Sequence, residues 1–303
     1  MNLSLEVLGC RPDGYHELLT LMASARLADR LFLSLKSGGE NWSLTSNSPG
    51  LPSGEDNLAF RAAERFFSLL SLHPQTVSFR IHIEKSIPAA AGLGGGSADA
   101  AAVLRFLWQA WGEGLAESLG FPRDRLTMAD LDRAALSLGA DVPFCLHGGI
   151  RLCRGIGEIL SEPLAGPAWP LLIGKPRASI RTAEAFALLG RQGGGKVPDT
   201  EEGAFVRWQK VLEEADPLAA RPLIRNDFLP VAIQKVPRVQ SILDNLLSEG
   251  AFAASLSGSG PSCFGLFEDE DRLEKASREL SSRMPDVRWI KSALAPEPAL
   301  SED

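Results

Sequence analysis

The sequence predicts an α+β fold divided into two domains. The chain of 303 residues is long enough for two hydrophobic cores, and its 45% hydrophobic and 23% charged residues are ordinary for a globular protein. A strand, a glycine-rich loop and a helix follow one another between Val77 and Trp111. The last elements run strand, strand, helix, strand, which suits a split βαβ, ferredoxin-like domain. A proline-containing stretch from Glu162 to Trp169 separates the halves, so we expect domains at 1–164 and 165–296 and a tail at 297–303.

The chain begins in a strand, because apolar and polar residues alternate from Asn2 to Leu8. The residues from Arg11 to Gly14 are typical of a turn, and a second alternating run follows them to Ala25. The next predicted elements are a strand at Asp29–Ser37, a loop-rich passage with a short strand at Gly38–Ser53 and an amphipathic helix at Asp56–Leu70.

The glycine-rich loop is the most informative stretch. Alternation from Val77 to Glu84 predicts the strand that enters it. The Ala- and Leu-rich run from Asp99 to Trp111 predicts the helix that leaves it, with Ser97 near the N-cap. Glycines let several backbone N–H groups point at one concavity, where the positive end of the helix dipole favours an anion. Phosphate is the expected ligand.

Two familiar phosphate motifs do not fit this loop. No Lys follows the last glycine, as a P-loop requires, and the final glycine of a dinucleotide fingerprint falls on Ser97. A plain surface turn does not account for the alanines on both sides of the glycines. The loop therefore predicts a phosphate site of another kind.

A carboxylate follows the next predicted helix. That helix covers Leu126–Leu138, with Thr127 and Asp130 spaced like a capping box. Pro143 is expected to stop any further helix and to hold the preceding residue extended, which presents Asp141 at a fixed corner. Asp141 is the leading candidate for a catalytic carboxylate, and a solvated turn residue is the alternative.

The remaining elements follow from periodicity and from turn residues. They are a strand at Gly148–Cys153, a turn at Gly155–Glu158, a strand at Leu171–Gly174, helices from Thr182, Glu201 and Arg238, a strand and turn through Ser255–Pro261, a strand to Phe267, a helix at Asp271–Met284 and a strand at Val287–Leu294. We expect a flexible loop at Gly190–Pro198 and disorder at Ala295–Asp303.

Composition narrows the function. A net charge of -7 without long acidic blocks argues against nucleic acid as the main partner and favours a small-molecule substrate. No signal-peptide pattern and no apolar run of about 18 residues is present, so we expect a cytoplasmic protein with no membrane partner. The four cysteines form no Cys-x-x-Cys pair. We expect Cys145, His147 and Cys153 to be structural rather than metal-binding, and we predict no protein metal ligands.

The segment from Pro88 to Ser97 resembles the second motif of the GHMP kinases, small-molecule kinases that include galactokinase, homoserine kinase and mevalonate kinase. The resemblance implies a ribosomal-protein-S5-like N-terminal domain, a ferredoxin-like C-terminal domain, and ATP with Mg²⁺ as cofactors. It makes Asp141 of Gly-Ala-Asp-Val-Pro the general base for a substrate hydroxyl. It places nucleotide contacts at Asn57, Lys85, Pro88, Gly92, Leu93, Gly94, Gly95, Gly96 and Ser97. Ala98 departs from the second Ser that relatives commonly have.

Two further stretches resemble one branch of this family, which phosphorylates a cytidine-diphosphate-linked methylerythritol in the non-mevalonate isoprenoid pathway. They are Arg11-Pro-Asp-Gly-Tyr-His-Glu-Leu18 and Ser179-Ile-Arg-Thr-Ala-Glu-Ala-Phe186. The resemblance implies that Tyr15 stacks on cytosine and His16 hydrogen-bonds to it. It places Phe186 on the other side of the base and Thr182 near the diphosphate or sugar.

The first and third family motifs complete the resemblance. Gly258, Ser259 and Gly260 match the third, C-terminal glycine motif, and Asn2 fits the Asn of the first motif, Pro-Ala-Lys-x-Asn. The resemblance implies that these four residues bind substrate near the active site. The Lys of that motif would precede Met1, and we expect that the start codon is misassigned.

The implied activity is ATP-dependent phosphorylation of the 2-hydroxyl of the methylerythritol unit, by a monomer or weak homodimer. Two alternatives stay open. One is a nucleotide- or ligand-binding homologue that has lost catalysis, and the other is a different GHMP small-molecule kinase.

Overall fold

The computed structural model describes residues 1–37, 42–72, 77–190 and 201–299. Its strands are β1 (Asn2–Cys10), β2 (His16–Ala25), β3 (Arg30–Ser37), β4 (Trp42–Ser46), β5 (Val77–Glu84), β6 (Ile150–Gly155), β7 (Ile159–Leu160), β8 (Pro170–Lys175), β9 (Ala253–Leu256), β10 (Cys263–Leu266) and β11 (Arg288–Ala295). Its α-helices are α1 (Leu58–Leu69), α2 (Gly95–Ala110), α3 (Ala116–Ser118), α4 (Met128–Leu138), α5 (Asp141–His147), α6 (Thr182–Leu189), α7 (Glu201–Glu213), α8 (Pro217–Ala220), α9 (Leu229–Lys235), α10 (Arg238–Ser248) and α11 (Glu270–Arg283).

The chain forms two compact units. The first, here called the sheet unit, comprises Met1–Leu27, Ala90–Leu93 and Gly148–Pro298. The second, here called the loop-helix unit, comprises Ala28–Ala89, Gly94–His147 and the residues from Ala299. These units differ from the predicted domains, because the first two strands group with the second half of the chain. The boundaries at 164 and 296 remain a prediction from sequence.

An eight-stranded sheet organises the sheet unit. Its strand order is β7-β6-β2-β11-β8-β10-β9, and β1 pairs with β2. Within it, the antiparallel set β11-β8-β10-β9 places the first and third strands of a βαββαβ unit at the centre, which confirms the predicted ferredoxin-like arrangement. Leu171 and Ile173 of β8 face one buried cluster and Leu172 faces another, because successive side chains point to opposite faces. The sheet is therefore buried on both faces along this strand.

A three-stranded sheet with helices on one side forms the loop-helix unit. The strand order is β3-β5-β4. In β5 the alternating Val77, Phe79, Ile81 and Ile83 are buried in one hydrophobic cluster with side chains of α1, α2 and α4, as the period of two predicts. At the start of α4, Thr127 and Asp130 form the predicted capping box.

Two local predictions are wrong near the glycine-rich loop. Helix α2 begins at Gly95, and its N-cap is Gly94 in the left-handed conformation rather than Ser97. Asp141 does not lie at an extended corner, because it begins helix α5. Pro143 lies in the first turn of α5, where its missing N–H removes no helical hydrogen bond.

Two predicted irregular segments have different outcomes. Gly190 caps the C-terminus of α6 in the left-handed conformation, and 191–198 of the predicted loop lie outside the described residues. The disorder predicted at Ala295–Asp303 is wrong for the described part. Ala295 ends β11, Pro298 bridges to Gly148, and the Ala299 N–H donates to the His147 carbonyl. No helix in the described ranges has the length and apolarity needed to cross a membrane.

Candidate active site

The glycine-rich loop leads directly into the N-terminus of α2. Gly92 and Gly94 have φ values of +72° and +66°, the left-handed region that favours glycine. Because Gly94 has no side chain, no capping group covers the first N–H groups of the helix. The open end of this 16-residue helix, with its positive dipole, is therefore suited to an anion.

Close packing explains two of the glycines. A Cβ on Gly92 would lie 2.5 Å from the Ser257 carbonyl oxygen, so no larger residue fits without moving the backbone. In the same contact the Ser257 hydroxyl donates to the Gly92 carbonyl at 2.8 Å. At the other end of the loop, a Cβ on Gly95 would lie 2.9 Å from Cγ2 of Ile87. Close packing therefore leaves no room for a larger residue at Gly92 or at Gly95.

The third glycine motif forms a turn beside Gly92. A Cβ on Gly258, which has a φ of +57°, would lie 3.2 Å from the Gly92 carbonyl oxygen. The buried Asn226 supports this turn, because its amide donates to the Leu256 and Gly258 carbonyls at 2.9 Å each. The sequence analysis missed Asn226, and nothing in its local pattern distinguishes it from a loop residue.

Lys85 lies in a buried ion triad rather than in solvent. Its ammonium donates to a carboxylate oxygen of Asp29 and, at 2.8 Å, to Asp99 in the first turns of α2. The three side chains are between 2% and 9% exposed. Burial acts to lower the pKa of Lys85, but the hydrogen bonds and charges of the two carboxylates outweigh it, so the pKa lies above its usual value. Burial raises the pKa of Asp99 to about 6.

Asp99 and Asp29 were also missed from sequence. A signal for Asp99 was present, because it is the lone carboxylate in an Ala-rich helical run that the hydrophobic pattern buries. Asp29 gave no comparable signal, since it lies 56 residues from Lys85.

Asp141, at the start of α5, is accessible to solvent, but the protein around its carboxyl displaces enough bulk water to raise the pKa of that group. Cys145, four residues later, lies on the same face of this helix. Its Sγ is 4.0 Å from the position of a Cβ on Gly94. Burial, followed by the Asp141 charge, raises the pKa of Cys145 to about 12. The helix face that carries Asp141 therefore lies against the start of α2.

Arg105 links α2 to α5. Its guanidinium donates to the Cys145 carbonyl at 2.5 Å and to the Leu146 carbonyl at 3.2 Å, near the C-terminus of α5. Burial lowers the pKa of Arg105. Arg105 thus satisfies carbonyl groups that a helix end leaves without partners. It is another residue that sequence reasoning missed.

The residues predicted to bind cytosine lie together in the sheet unit. The His16 and Phe186 rings stack with centroids 4.5 Å apart, and Phe186 meets the buried Phe228 edge-on. Tyr15 lies on the turn before β2 and is 59% exposed. Thr182 is within hydrogen-bond distance of Ser259, 3.1 Å between hydroxyl oxygens. The Asn2 amide donates to the Thr20 hydroxyl at 2.9 Å.

The other predicted nucleotide residues occupy ordinary structural positions. Asn57 caps α1 by accepting from the Ala59 N–H and donating to the Pro52 carbonyl. Leu93 packs against a cluster of the sheet unit. Gly96 and Ser97 lie in the first turn of α2, and Pro88 is half-buried in the loop before it. Gly260, which was predicted to bind substrate rather than nucleotide, has a φ of +87° and lies in the third glycine motif.

The stretch around Cys145 shows no metal cluster. Cys153 is buried in β6, and the His147 ring meets the Asp132 carboxylate at 2.7 Å. Among the residues that the structure describes, no three His, Cys, Asp or Glu side chains are grouped to hold a metal ion.

Comparison with known proteins places this arrangement in a family. The family descriptions "GHMP kinases N terminal domain" and "GHMP kinases C terminal" match residues 57–149 and 208–286. The 4-diphosphocytidyl-2-C-methyl-D-erythritol kinase of a Synechococcus strain is 39% identical over 98% of this chain and 92% of its own length. The protein of that name from Syntrophomonas wolfei is 37% identical over 96% and 95%.

A crystal structure agrees with these sequence relatives. The structure of a 4-(cytidine 5'-diphospho)-2C-methyl-D-erythritol kinase matches with a TM-score of 0.74 and 31% identity, and the match covers 97% of this chain and 96% of that one. The chain belongs to the 4-diphosphocytidyl-2-C-methyl-D-erythritol kinase family of GHMP kinases.

Proposed function

We propose that the protein transfers the γ-phosphoryl group of ATP to the 2-hydroxyl of 4-diphosphocytidyl-2-C-methyl-D-erythritol, which gives the 2-phosphate used in the non-mevalonate isoprenoid pathway. One observation carries the proposal. The helix face with Asp141 lies against Gly94, at the open N-terminus of α2. This arrangement puts an anion-binding helix end and an exposed carboxylate side by side, as phosphoryl transfer to an alcohol requires.

The transfer forms one bond and breaks one. The substrate oxygen attacks the γ-phosphorus, the bond from that phosphorus to the β–γ bridging oxygen breaks, and ADP leaves. Asp141 accepts the hydroxyl proton, and its exposed carboxylate is free to meet the substrate. The N–H groups at the start of α2 hold the phosphates in line. Since the transition state is loose, alignment and charge stabilisation contribute more than strong basicity.

Mg²⁺ fits this scheme as an ion that arrives with ATP. When bound, it would neutralise charge on the phosphate oxygens. Asp99 and Asp29 are buried in the ion triad and Asp141 takes the substrate proton, so the ion would be held mainly by the phosphate oxygens of ATP.

Cytosine recognition is proposed for Tyr15, His16 and Phe186. The resemblance places cytosine between Tyr15 and Phe186, but His16 stacks on Phe186 with the ring centroids 4.5 Å apart, so His16 occupies that face of Phe186. We propose that cytosine stacks on the exposed Tyr15 ring and bonds with a ring nitrogen of His16, while Phe186 fixes the plane of the His16 ring. Thr182 and Ser259, whose hydroxyls meet, would contact the diphosphate or sugar.

Phe186→Leu tests the cytosine site. We expect the KM for the cytidyl substrate to rise about tenfold, because His16 loses its stacked neighbour and the ordering of its donor and acceptor groups. The KM for ATP and the kcat should change less than twofold. Leu188→Ala, at an exposed position on the same helix, is the control. An equal rise in both KM values would contradict the assignment.

Purified protein, ATP, Mg²⁺ and the cytidyl substrate test the activity itself. We expect equimolar ADP and a product that carries one added phosphoryl group on the 2-oxygen, identified by phosphorus NMR. Homoserine and mevalonate should give no product. Turnover of either one in place of the cytidyl substrate would favour a different GHMP kinase, and nucleotide binding without turnover of any would favour the homologue that has lost catalysis.

The location, partners and oligomeric state of the protein are also proposals. We propose that the protein acts in the cytoplasm, on small molecules, as a monomer or weak homodimer. Sedimentation over a range of concentrations distinguishes these two states from a stable oligomer.

A further inference from the structure

The base of the glycine-rich loop is held by carboxylates that the proposed activity does not use. One oxygen of Asp29 accepts from the backbone N–H groups of Ser86 and Ile87, at 2.6 and 2.9 Å, and the other accepts from the Lys85 ammonium. Lys85 also donates to Asp99, which lies in α2 beyond the loop. The ion triad therefore connects the residues that enter the loop with the helix that leaves it.

These connections bring the two ends of the loop into contact. The Ile87 side chain is within 2.9 Å of the position of a Cβ on Gly95, and the Lys85 ammonium is within 3.4 Å of it. An ammonium so close to the positive end of a helix is unfavourable unless a carboxylate offsets it, and Asp99 is positioned to do so. Ile87 and Gly95 are therefore in close contact across the base of the loop.

The side chain of Lys85 has little surface left for a ligand. It is 9% exposed, and two carboxylates accept its hydrogen bonds. Asp99 is 3% exposed, and its Oδ1 lacks a hydrogen-bond partner among the described residues. A buried pair that loses its cation leaves carboxylates without compensation, which disrupts the local structure strongly.

We propose that Lys85 is a positioning residue, which joins Asp29 to Asp99 so that both ends of the glycine-rich loop stay together in the form that binds the nucleotide phosphates, and that its side chain makes no contact with adenine. The inference rests on the proposed nucleotide site. It replaces the adenine contact that family resemblance implies for the Lys85 side chain.

Lys85→Met in the full chain tests the role by hydrogen exchange without nucleotide. We expect exchange of the amides from Ser86 to Ala98 to accelerate at least tenfold, while the amides of β8 and β10 keep their rates. Lys36→Met, at an exposed position on β3, should change neither. This readout does not depend on any kinase activity, so it distinguishes failure of the positioning role from failure of the proposed function.

Nucleotide binding separates positioning from base recognition. We expect Lys85→Met to weaken the binding of ATP and of inosine triphosphate by the same factor, at least tenfold, because the loop loses the form that binds phosphate. Asp99→Asn keeps the shape of the side chain and the Lys85–Asp29 pair, so it should weaken the binding of both nucleotides by a smaller factor. This variant replaces Lys85→Met in the test if Lys85→Met does not fold. The double variant should lose less than the product of the single losses. Loss confined to ATP, or unchanged exchange in the loop, would overturn the proposal.

Discussion

Asp141→Asn is expected to lower kcat about a thousandfold while the dissociation constant for ATP changes less than threefold. The amide keeps the shape of the side chain at the start of α5 but cannot accept the hydroxyl proton, and removal of a general base typically costs between about a hundredfold and ten-thousandfold. Steady-state kinetics and calorimetric titration with ATP measure the two quantities. Asp124→Asn, at an exposed position in the turn before α4, is the matched control and should behave as wild type.

The pH dependence of kcat provides a second test of Asp141. Burial raises its pKa, so the carboxylate form that accepts a proton is lost at a higher pH than for an ordinary aspartate as the solution is acidified. The kcat should therefore fall as the pH is lowered through that raised pKa. The residual kcat of Asp141→Asn should show no such fall. An unchanged acid limb in the variant would assign the titration to another group.

Gly92→Ala is expected to lower the free energy of unfolding by about 2 kcal/mol or more and to raise the KM for ATP at least tenfold. The φ of +72° disfavours alanine, and the new Cβ would lie 2.5 Å from the Ser257 carbonyl oxygen. Relief of this contact must displace the loop or the third glycine motif, because both partners are backbone. Denaturant unfolding and steady-state kinetics measure the effects.

Two other glycines separate the causes. Gly94→Ala has a similar positive φ, but its Cβ meets only the Cys145 Sγ at 4.0 Å, so it reports the cost of the backbone conformation without a collision. Gly50→Ala meets nothing within 4 Å and should be nearly neutral. If Gly92→Ala were no worse than Gly94→Ala, the contact with Ser257 would not matter for the loop.

The fold was predictable where local pattern and tertiary burial agree. The alternation in β5 and the Thr127–Asp130 capping box of α4 each predicted the correct element. One face of β5 and one face of α4 are buried in the same hydrophobic cluster. The start of α2 was misplaced because a glycine N-cap has no side chain to signal it. Helix α5 was missed because proline stops a helix only beyond the first turn, and here it lies within that turn.

The candidate site was predictable only as far as its motifs reach. Glycines at fixed spacing identify the loop, and Gly-Ala-Asp-Val-Pro identifies Asp141, because each is contiguous in sequence. The supporting residues are not contiguous: Asp29 lies 56 residues from Lys85, and Arg105 lies 40 residues from Cys145. Their roles depend on tertiary contacts between strands and helices, which no local pattern encodes.

The bonds from Arg105 to the end of α5 have a consequence for enzymology. A guanidinium stays charged and a peptide carbonyl stays neutral throughout the range in which enzymes are assayed, so this attachment is the same in acid and in alkali. The other side-chain contact at the same end, between His147 and Asp132, can be removed by Asp132→Ala without loss of the Arg105 bonds. If kcat still falls at low pH in that variant, the fall is due to protonation of Asp141 itself. The position of α5 would then be unchanged by pH.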